Sequence, residues 1–249
     1  MDRHHDAAEL LLSARRDPSQ RLRTIPEAIR PKTEEQAYLV QREIVSQLDG
    51  IGGWKVGSPS PDSSTFTCAP LPVRGIVGSP AEIRCADRGV EAEIAVRLGT
   101  GLPSRDRPYT EDEVRAAIAS AHPAIEVLDS RFADVGAVDP LSNLADSLSH
   151  HSLVLGPPVP NWPGIDLTRE EVRMLVDGTE IKRRVANPAG DMLRLLLWLA
   201  DTGARWAGGL LPGQVITTGS WTGKDFTDPE AEVRARFARC GEVVVRFVA

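Results

Sequence analysis

The sequence has few cysteines, few aromatic residues and no long apolar run. Its three cysteines, Cys68, Cys85 and Cys240, are widely separated, odd in number and form no CxxC pair. This pattern excludes a disulfide framework and a cysteine-ligated zinc site, and it is typical of a reducing cytoplasm. The apolar run at residues 10–12 is too short for a signal peptide or a membrane span. We therefore expect a cytoplasmic protein without a membrane partner.

Basic residues are scarce relative to acidic ones. Lys and Arg total 29 against 35 Asp and Glu, which gives a formal net charge of -6 and a pI of about 5.5. Because no basic cluster with interleaved aromatic residues occurs, we expect small-molecule partners and no nucleic acid. The 249 residues, 41% of them hydrophobic, can bury a sizeable core. We expect an N-terminal helical region at 1–50 and a main β-sheet domain at 51–249, joined in one structural unit.

Local patterns predict a mixed α+β fold. Apolar spacing and capping boxes predict helices at residues 6–16, from Thr33 to before Gly50, from Thr110 to Pro123 and at 191–202. The apolar face of the first of these helices is expected to contain Ala7, Leu10, Leu11 and Ala14. Alternating residues predict strands and a hairpin that turns at Asp177-Gly178, whereas Ser and Pro predict a long loop from 58 to 80. These elements indicate a mainly antiparallel sheet with helices at the N-terminus.

Two glutamates share one predicted strand. Side chains alternate along a strand, so Glu91 and Glu93 lie on one face, whereas Val90, Ala92 and Ile94 lie on the other. Like charges at neighbouring positions of one face repel, and a cation between them would remove this cost. The alternative is a solvated strand face, where such pairs are common.

Glu126 adds a third carboxylate within the apolar run 124–128. An unpaired carboxylate is costly in such a run, so Glu126 is expected either to pair with an arginine or to bind a cation. Three carboxylates without Cys or His would form an all-oxygen site, which suits Mg²⁺, Mn²⁺ or Ca²⁺ better than zinc.

The remaining chemically interesting residues are a lysine and three histidines. Lys55 lies in a glycine-rich strand pattern at 52–57, and glycine allows a backbone to approach a ligand closely. Adjacent strand residues point to opposite faces, so we expect His150 and His151 to be one structural and one exposed imidazole. We expect His122 to lie at a helix end, where the last carbonyls satisfy it, outside any metal site.

Several short motifs occur in a fixed order along almost the whole chain. They are Ala37-Tyr38-Leu39-Val40-Gln41, Gly53-Trp54-Lys55-Val56-Gly57, Glu91-x-Glu93, Ala124-Ile125-Glu126-Val127-Leu128-Asp129-Ser130-Arg131, Leu144-Ala145-Asp146 and Pro212-Gly213-Gln214-Val215-Ile216-Thr217-Thr218-Gly219-Ser220. In order and spacing they resemble the 2-keto-4-pentenoate hydratases and 4-oxalocrotonate decarboxylases of the fumarylacetoacetate hydrolase superfamily.

The resemblance implies a mixed β-sheet roll that is commonly oligomeric. It also implies that Glu91, Glu93 and Glu126 hold Mg²⁺ or Mn²⁺, and that Lys55 and Asp129 are catalytic. Further residues are implied to bind substrate: Ser130, Asp146, Thr218, Gly219 and Ser220. We also expect Ser58, Ser60 and Arg74 to contact the substrate. Among these, Arg74 is expected to extend the positive field of the pocket and to favour a dicarboxylate.

The activity that the resemblance implies is metal-assisted enolisation of a 2-oxo acid. The leading expectation is a hydratase that adds water to a 2-hydroxy-2,4-dienoate and yields a 4-hydroxy-2-oxo acid. The alternatives are a 2-oxo-enedioate decarboxylase, an acylpyruvate C–C hydrolase, or a non-catalytic subunit that binds 2-oxo acids. We expect a homo-oligomer, with a decarboxylase or hydratase of the same pathway as a further partner.

Two positions depart from the resemblance. Val73 stands where such hydratases commonly have an aspartate, and Ser147 stands where Asn is usual after Asp146. The first change bears on water addition, since that aspartate is credited with acid–base work beside the lysine. Neither change touches the three glutamates.

Overall fold

The computed structural model describes residues 3–249. Its α-helices are α1 (Arg3–Arg16), α2 (Glu34–Ser46), α3 (Glu111–Ala117), α4 (Pro140–Ala145) and α5 (Met192–Trp198). A π-helical turn at Leu199–Gly203 continues the last of these. Short 3-10 turns occur at Pro18–Gln20, Val73–Gly75, Val135–Ala137, Ser147–Ser149, Trp162–Gly164, Leu167–Arg169 and Arg205–Ala207. None of the helices in this part of the chain is long and apolar enough to cross a membrane.

Fifteen strands are found among the described residues. They are β1 (Ile51–Gly57), β2 (Thr67–Pro72), β3 (Ile76–Gly78), β4 (Ala81–Ile83), β5 (Gly89–Leu98), β6 (Leu102–Pro103), β7 (Ile118–Leu128), β8 (His150–Leu155), β9 (Glu171–Val176), β10 (Thr179–Val185), β11 (Gly209–Leu210), β12 (Val215–Thr217), β13 (Asp225–Phe226), β14 (Glu232–Phe237) and β15 (Gly241–Phe247).

The strands form two large sheets and one short ribbon. The larger sheet has the order β2-β1-β12-β5-β7-β8-β3, with β13 also paired to β5, and the second has the order β10-β9-β14-β15-β4. Strands β6 and β11 form the ribbon. The parallel pairs are β1–β12, β3–β8 and β4–β15, and the other pairs are antiparallel. The predicted mixed, mainly antiparallel α+β fold is confirmed.

The long antiparallel pair β5–β7 is the centre of the larger sheet. Its register places Glu91 opposite Glu126. Val90, Ala92 and Ile94 are fully buried in the main hydrophobic core on the other face of β5, as the alternation predicted. The sheet therefore has an apolar face and an acidic patch on opposite sides of the same strands.

Helices α1 and α2 pack together near α4 and form a separate apolar cluster. The Thr33 hydroxyl accepts a hydrogen bond from the Gln36 amide and caps α2, which confirms its predicted start. In α1 the prediction was wrong for Leu10, which is only partly buried. Ala8 and Leu12 lie in the buried face instead.

Two sequence-based boundaries were wrong. The predicted loop 58–80 contains strands β2 and β3, because β2 pairs with β1 at the end of the larger sheet. Prolines 70 and 72 are tolerated there, since an edge strand does not need every amide for pairing. The helix that starts after Thr110 ends at Ala117 rather than near Pro123. The apolar residues that follow belong to β7, whose hydrogen bonds to β5 outweigh helical propensity.

The close approach of β1 and β12 requires glycine at position 53. A Cβ built on Gly53 would lie 2.1 Å from the carbonyl oxygen of Val215, its partner in the parallel ladder. We predict that Gly53→Ala lowers the free energy of unfolding by about 1–3 kcal/mol or more, because the two strands must move apart. Urea unfolding checks this. Gly78→Ala is the matched control, since a Cβ at Gly78 meets nothing within 4 Å. Equal stability of the two variants would contradict the prediction.

Candidate active site

Three carboxylates meet on one face of the larger sheet. Glu91 and Glu93 come from β5 and Glu126 comes from β7, and one carboxylate oxygen of each lies within 4.8 Å of the others. Glu93 and Glu126 are both 1% exposed. Such a buried group of like charges is unfavourable by itself, and a hard divalent cation prefers this set of oxygens. The predicted convergence of the three side chains is present in the structure.

Glu126 is hydrogen-bonded by two nitrogen donors at the same oxygen. Lys55 Nζ lies 2.6 Å from Glu126 Oε1, and His150 Nδ1 lies 2.8 Å from that atom. Both of these bonds are made to Oε1, and neither involves Oε2. On the neighbouring strand the Thr217 hydroxyl donates a short hydrogen bond to Glu93 Oε2.

The three carboxyl groups differ in their protonation behaviour. Burial raises the pKa of Glu126, but the charge of Lys55 and the hydrogen bonds from His150 and Lys55 outweigh it and lower that pKa to about 2. Burial raises the pKa of Glu93 well above its usual range, and the neighbouring carboxylates raise it further. The pKa of Glu91 is raised for the same reasons. The cluster therefore lacks positive charge, and a divalent cation would let all three groups ionise.

Lys55 is held in its charged form. Burial lowers the pKa of its ammonium group, but the charges of Glu126 and Glu91, the hydrogen bond to Glu126 and the charge of Glu93 outweigh burial and raise it. The side chain is 12% exposed. Lys55 is thus a cation beside the carboxylates.

The carboxylates lie in a cavity of about 260 Å³. Its lining combines charged, polar and apolar side chains: Lys55, Val56, Gly57, Thr67, Glu91, Glu93, Glu126, Leu128, Asn143, Leu148, Gly219, Ser220 and Lys224. The buried Ser220 hydroxyl has no hydrogen-bond partner among the described residues, although it lies near enough to Glu91 to lower the pKa of that carboxyl. A cavity of this size and polarity suits a small organic acid.

Asp129, predicted to be catalytic, does not line this cavity. Its carboxylate pairs with Arg21 and accepts hydrogen bonds from the backbone amides of Ala86 and Asp87, the latter at 2.7 Å. The side chain of Asp129 stabilises the connection between β4 and β5, since it satisfies two backbone donors there.

Ser130 and Asp146, predicted to bind substrate, belong to a buried ion-pair network. The Arg131 guanidinium donates to the Asp146 carboxylate and to the carbonyl oxygen of His150. The Ser130 hydroxyl contacts Asp146 at 3.5 Å. These side chains are buried, and none of them lines the cavity.

Four other predicted substrate contacts also lie outside the cavity. Ser58 and Ser60 accept hydrogen bonds from Arg194, which folds the loop after β1 onto α5. The Arg74 side chain is 93% exposed and lies 3.7 Å from Asp49, so it adds no charge to the pocket. Thr218 bonds the carbonyl of Ile94 and lines a second cavity of about 170 Å³, which does not contain the carboxylates. Of the predicted substrate contacts, only Gly219 and Ser220 line the cavity that contains the carboxylates.

Sequence reasoning missed several lining residues, and Lys224 is the most informative of them. Lys224 lines the cavity, and its ammonium group makes no hydrogen bond or ion pair with another described residue, although its charge lowers the pKa of Glu91. The signal was its position four residues after Ser220, at the end of a conspicuous motif. Leu128, Asn143 and Leu148 had no signal of their own.

His150 was also missed as a neighbour of the carboxylates. The expectation of one structural and one exposed imidazole fits His150, which is 1% exposed, but His151 is only half-buried and bonds Ser152. His122 lies in β7, not at a helix end, and its ring bonds Ser120 and the carbonyl of Gly156. It lies outside the cavity, as expected.

A strained turn precedes His150. Ser147, Leu148 and Ser149 have φ of 52°, 55° and 65°, so three successive non-glycine residues adopt left-handed conformations. Each costs about 1–2 kcal/mol. The turn brings Leu148 into the wall of the cavity. Such strain persists only where surrounding contacts determine the backbone conformation, and strained residues of this kind cluster at functional sites.

The fold and this cavity define a class: an α+β protein in which a mixed sheet presents three acidic ligands and a lysine to a small pocket. The family model for the fumarylacetoacetate (FAA) hydrolase C-terminal domain matches residues 56–248. The chain belongs to this family.

The curated relatives are enzymes of one name. The chain is 34% identical over 132 residues to the 2-keto-4-pentenoate hydratase of Burkholderia vietnamiensis. This alignment covers 53% of this chain and 49% of the relative. The same-named protein of Paraburkholderia xenovorans is 32% identical over 132 residues, covering 53% and 48%. The match thus spans about half the length of these relatives.

A solved structure matches almost the whole chain. The 4-oxalocrotonate decarboxylase of Pseudomonas putida G7, complexed with magnesium and adipate, superimposes with a TM-score of 0.85, covering 98% of this chain and 97% of the other. Its sequence identity is 24%, so the likeness shows the fold. The predicted fold and superfamily are confirmed.

We predict that Mg²⁺ binding releases protons and strengthens as the pH rises. The pKa values of Glu91 and Glu93 are raised, so below them an incoming cation must displace protons, and above them it does not. Calorimetric Mg²⁺ titrations in two buffers of different ionisation enthalpy count the released protons. Glu93→Gln should abolish most of this release. An affinity that stays constant from mildly acidic to mildly basic pH would contradict the prediction.

Proposed function

We propose that this chain is a divalent-metal-dependent hydratase of 2-hydroxy-2,4-dienoates that forms a 4-hydroxy-2-oxo acid. The observation that carries the proposal is the meeting of Glu91, Glu93 and Glu126 with Lys55 in one cavity of about 260 Å³. The hydratase names of the curated relatives support the same reaction class. We further propose that the β-sheet region 51–249 carries the activity and that the protein acts as a homo-oligomer.

The donor set fits Mg²⁺ or Mn²⁺, and would accept Ca²⁺. All three donors are carboxylate oxygens, and the raised pKa values of Glu91 and Glu93 reflect a deficit of positive charge that such an ion removes. When bound, the ion supplies Lewis-acid stabilisation of negative charge at the 2-oxo oxygen of a substrate.

Lys55 provides the second positive charge. Its raised pKa keeps it as an ammonium ion, so it attracts an anionic substrate and can donate a proton, but it cannot act as a base while paired with Glu126. Protonation of a dienolate carbon requires such a donor beside the pocket. We therefore assign Lys55 the role of proton donor or substrate cation.

Water addition needs a polar wall as well as an acid. Thr67, Asn143 and Ser220 offer hydroxyl and amide groups in the cavity, and the Ser220 hydroxyl is unpartnered among the described residues. These groups can orient a water molecule, whereas Leu128 and Leu148 can enclose the diene carbons. Asp129 is engaged with Arg21 and is not part of this assignment.

The 2-oxo-enedioate decarboxylase is the second candidate, and Lys224 favours it. Lys55 is paired with Glu126, so Lys224 is the lining cation without a counter-ion among the described residues. A second carboxylate on the substrate would find its partner there. This residue takes the place that the sequence had suggested for Arg74.

The decisive experiment is turnover of a 2-hydroxy-2,4-dienoate with and without Mg²⁺. We expect consumption of the dienoate only with the metal, and a fall of about 10²–10⁴-fold in kcat/KM for Lys55→Met, because proton donation is lost. Lys32→Met is the control, since Lys32 pairs with Glu27 on the exposed surface. Absence of metal-dependent turnover of any 2-hydroxy-2,4-dienoate would refute the hydratase assignment.

Lys224 separates the two candidates. If the substrate is an enedioate, Lys224→Met should raise KM by about tenfold or more, because a hydrogen bond to a charged group is lost. For a monocarboxylic dienoate the change should be small. Lys32→Met is again the control, since Lys32 pairs with Glu27 on the exposed surface and does not line the cavity. CO₂ release and water addition are followed separately, and equal effects on both substrates would remove Lys224 from recognition.

A further inference from the structure

His150 is a buried imidazole whose two nitrogens have different surroundings. Nδ1 lies 2.8 Å from Glu126 Oε1, whereas Nε2 has no hydrogen-bond partner among the described residues. An ionised carboxylate can only accept, so the hydrogen bond requires the proton on Nδ1. The ring is therefore a donor aimed at one oxygen of a candidate metal ligand.

The backbone is built to place this ring. In the β7–β8 ladder Val127 pairs with Ser152 and Leu128 pairs with His150, so His151 is an extra residue in a bulge. A bulge changes the direction of a neighbouring side chain. Without it, the position beside Leu128 would belong to His151.

Several contacts hold the strained turn that leads to His150. The carbonyl oxygen of His150 accepts hydrogen bonds from Arg15 at 3.1 Å and from Arg131 at 2.8 Å. The carbonyl of Ser149 accepts from the Asp129 amide at 2.9 Å, and the Ser149 amide donates to the Asp146 carbonyl at 3.1 Å. Left-handed residues, a bulge, the buried Arg131 and the partly buried Arg15 thus determine one side-chain position.

We propose that His150 is a positioning residue that orients Glu126 for a divalent cation. His150 and Lys55 together occupy Glu126 Oε1, which fixes the rotation of the carboxylate and leaves Oε2 for the ion. Hydrogen-bond partners of ligating carboxylates tune metal sites in this way, and their loss typically costs 10–100-fold in affinity. The inference rests on the proposed metal site and does not depend on which reaction follows.

The test compares two amide variants by Mn²⁺ titration, with the free ion measured by electron paramagnetic resonance. In His150→Asn the amide nitrogen can take the place of Nδ1 and restore the donor. In His150→Gln the amide extends toward the place of Nε2, where it cannot serve Oε1. We expect His150→Asn to bind Mn²⁺ within a fewfold of wild type and His150→Gln to bind about 10–100-fold more weakly. His151→Asn, at the neighbouring position, should leave the affinity unchanged.

The outcomes separate this inference from the proposed function. If wild type binds Mn²⁺ and both His150 variants bind it equally well, or both lose it equally, the positioning role is overturned while the metal site stands. If wild type binds no Mn²⁺, the metal site and this inference fail together. ¹⁵N-histidine NMR of the unmodified protein gives a second readout that needs no variant to fold. The Nδ1–H tautomer is expected for His150, and the Nε2–H tautomer would overturn the proposal.

Discussion

The charge balance of three clustered carboxylates, two of them fully buried, is the constraint on which the site depends. Glu91, Glu93 and Glu126 share one face of a sheet whose other face is core, so they cannot turn away without losing the strand register. Lys55 and His150 donate their hydrogen bonds to Glu126 and to neither of the other two carboxylates. The remaining two groups respond by holding protons more strongly. Such a cluster destabilises the folded protein unless a cation compensates its charge. The cluster is therefore suited to bind a divalent cation.

Sheet order converts this constraint into a pocket. Strands β1, β12, β5, β7 and β8 are consecutive neighbours in the larger sheet. Each contributes to the cluster or its hydrogen bonds, through Lys55, Thr217, the glutamates and His150. Residues far apart in sequence are therefore brought together by regular strand spacing of about 4.8 Å rather than by a mobile loop. Side chains on adjacent strands of one sheet are well suited to precise chemistry, since packing fixes their positions.

The cluster of three carboxylates was predictable from the sequence because it follows a local rule. A period of two places Glu91 and Glu93 on one face, and an acid within an apolar run identifies Glu126. The ion-pair partners of Asp129 and Asp146 were not predictable, because the contacts of Arg21 and Arg131 are set by tertiary packing.

Local rules also failed where one extra residue changed a register. His150 reaches Glu126 through a bulge that strict alternation does not foresee. Strand β2 was hidden by prolines that only an edge position permits. The overall fold was predictable because the order of many motifs along the chain indicated it. That prediction did not depend on the pairing register of any single strand.

The two departures from the family pattern lie outside the cavity wall. Val73 is 51% exposed and Ser147 is partly buried, and neither lines the cavity. The residue beside Ser147, Leu148, does line it, because the left-handed turn directs it there. The presence of Val73 in place of the family's aspartate therefore removes no group from this cavity. We expect substrate discrimination to depend on lining residues other than the carboxylates. Two of these are Leu148 at the strained turn and Lys224, one apolar and one cationic, on separate segments of the chain.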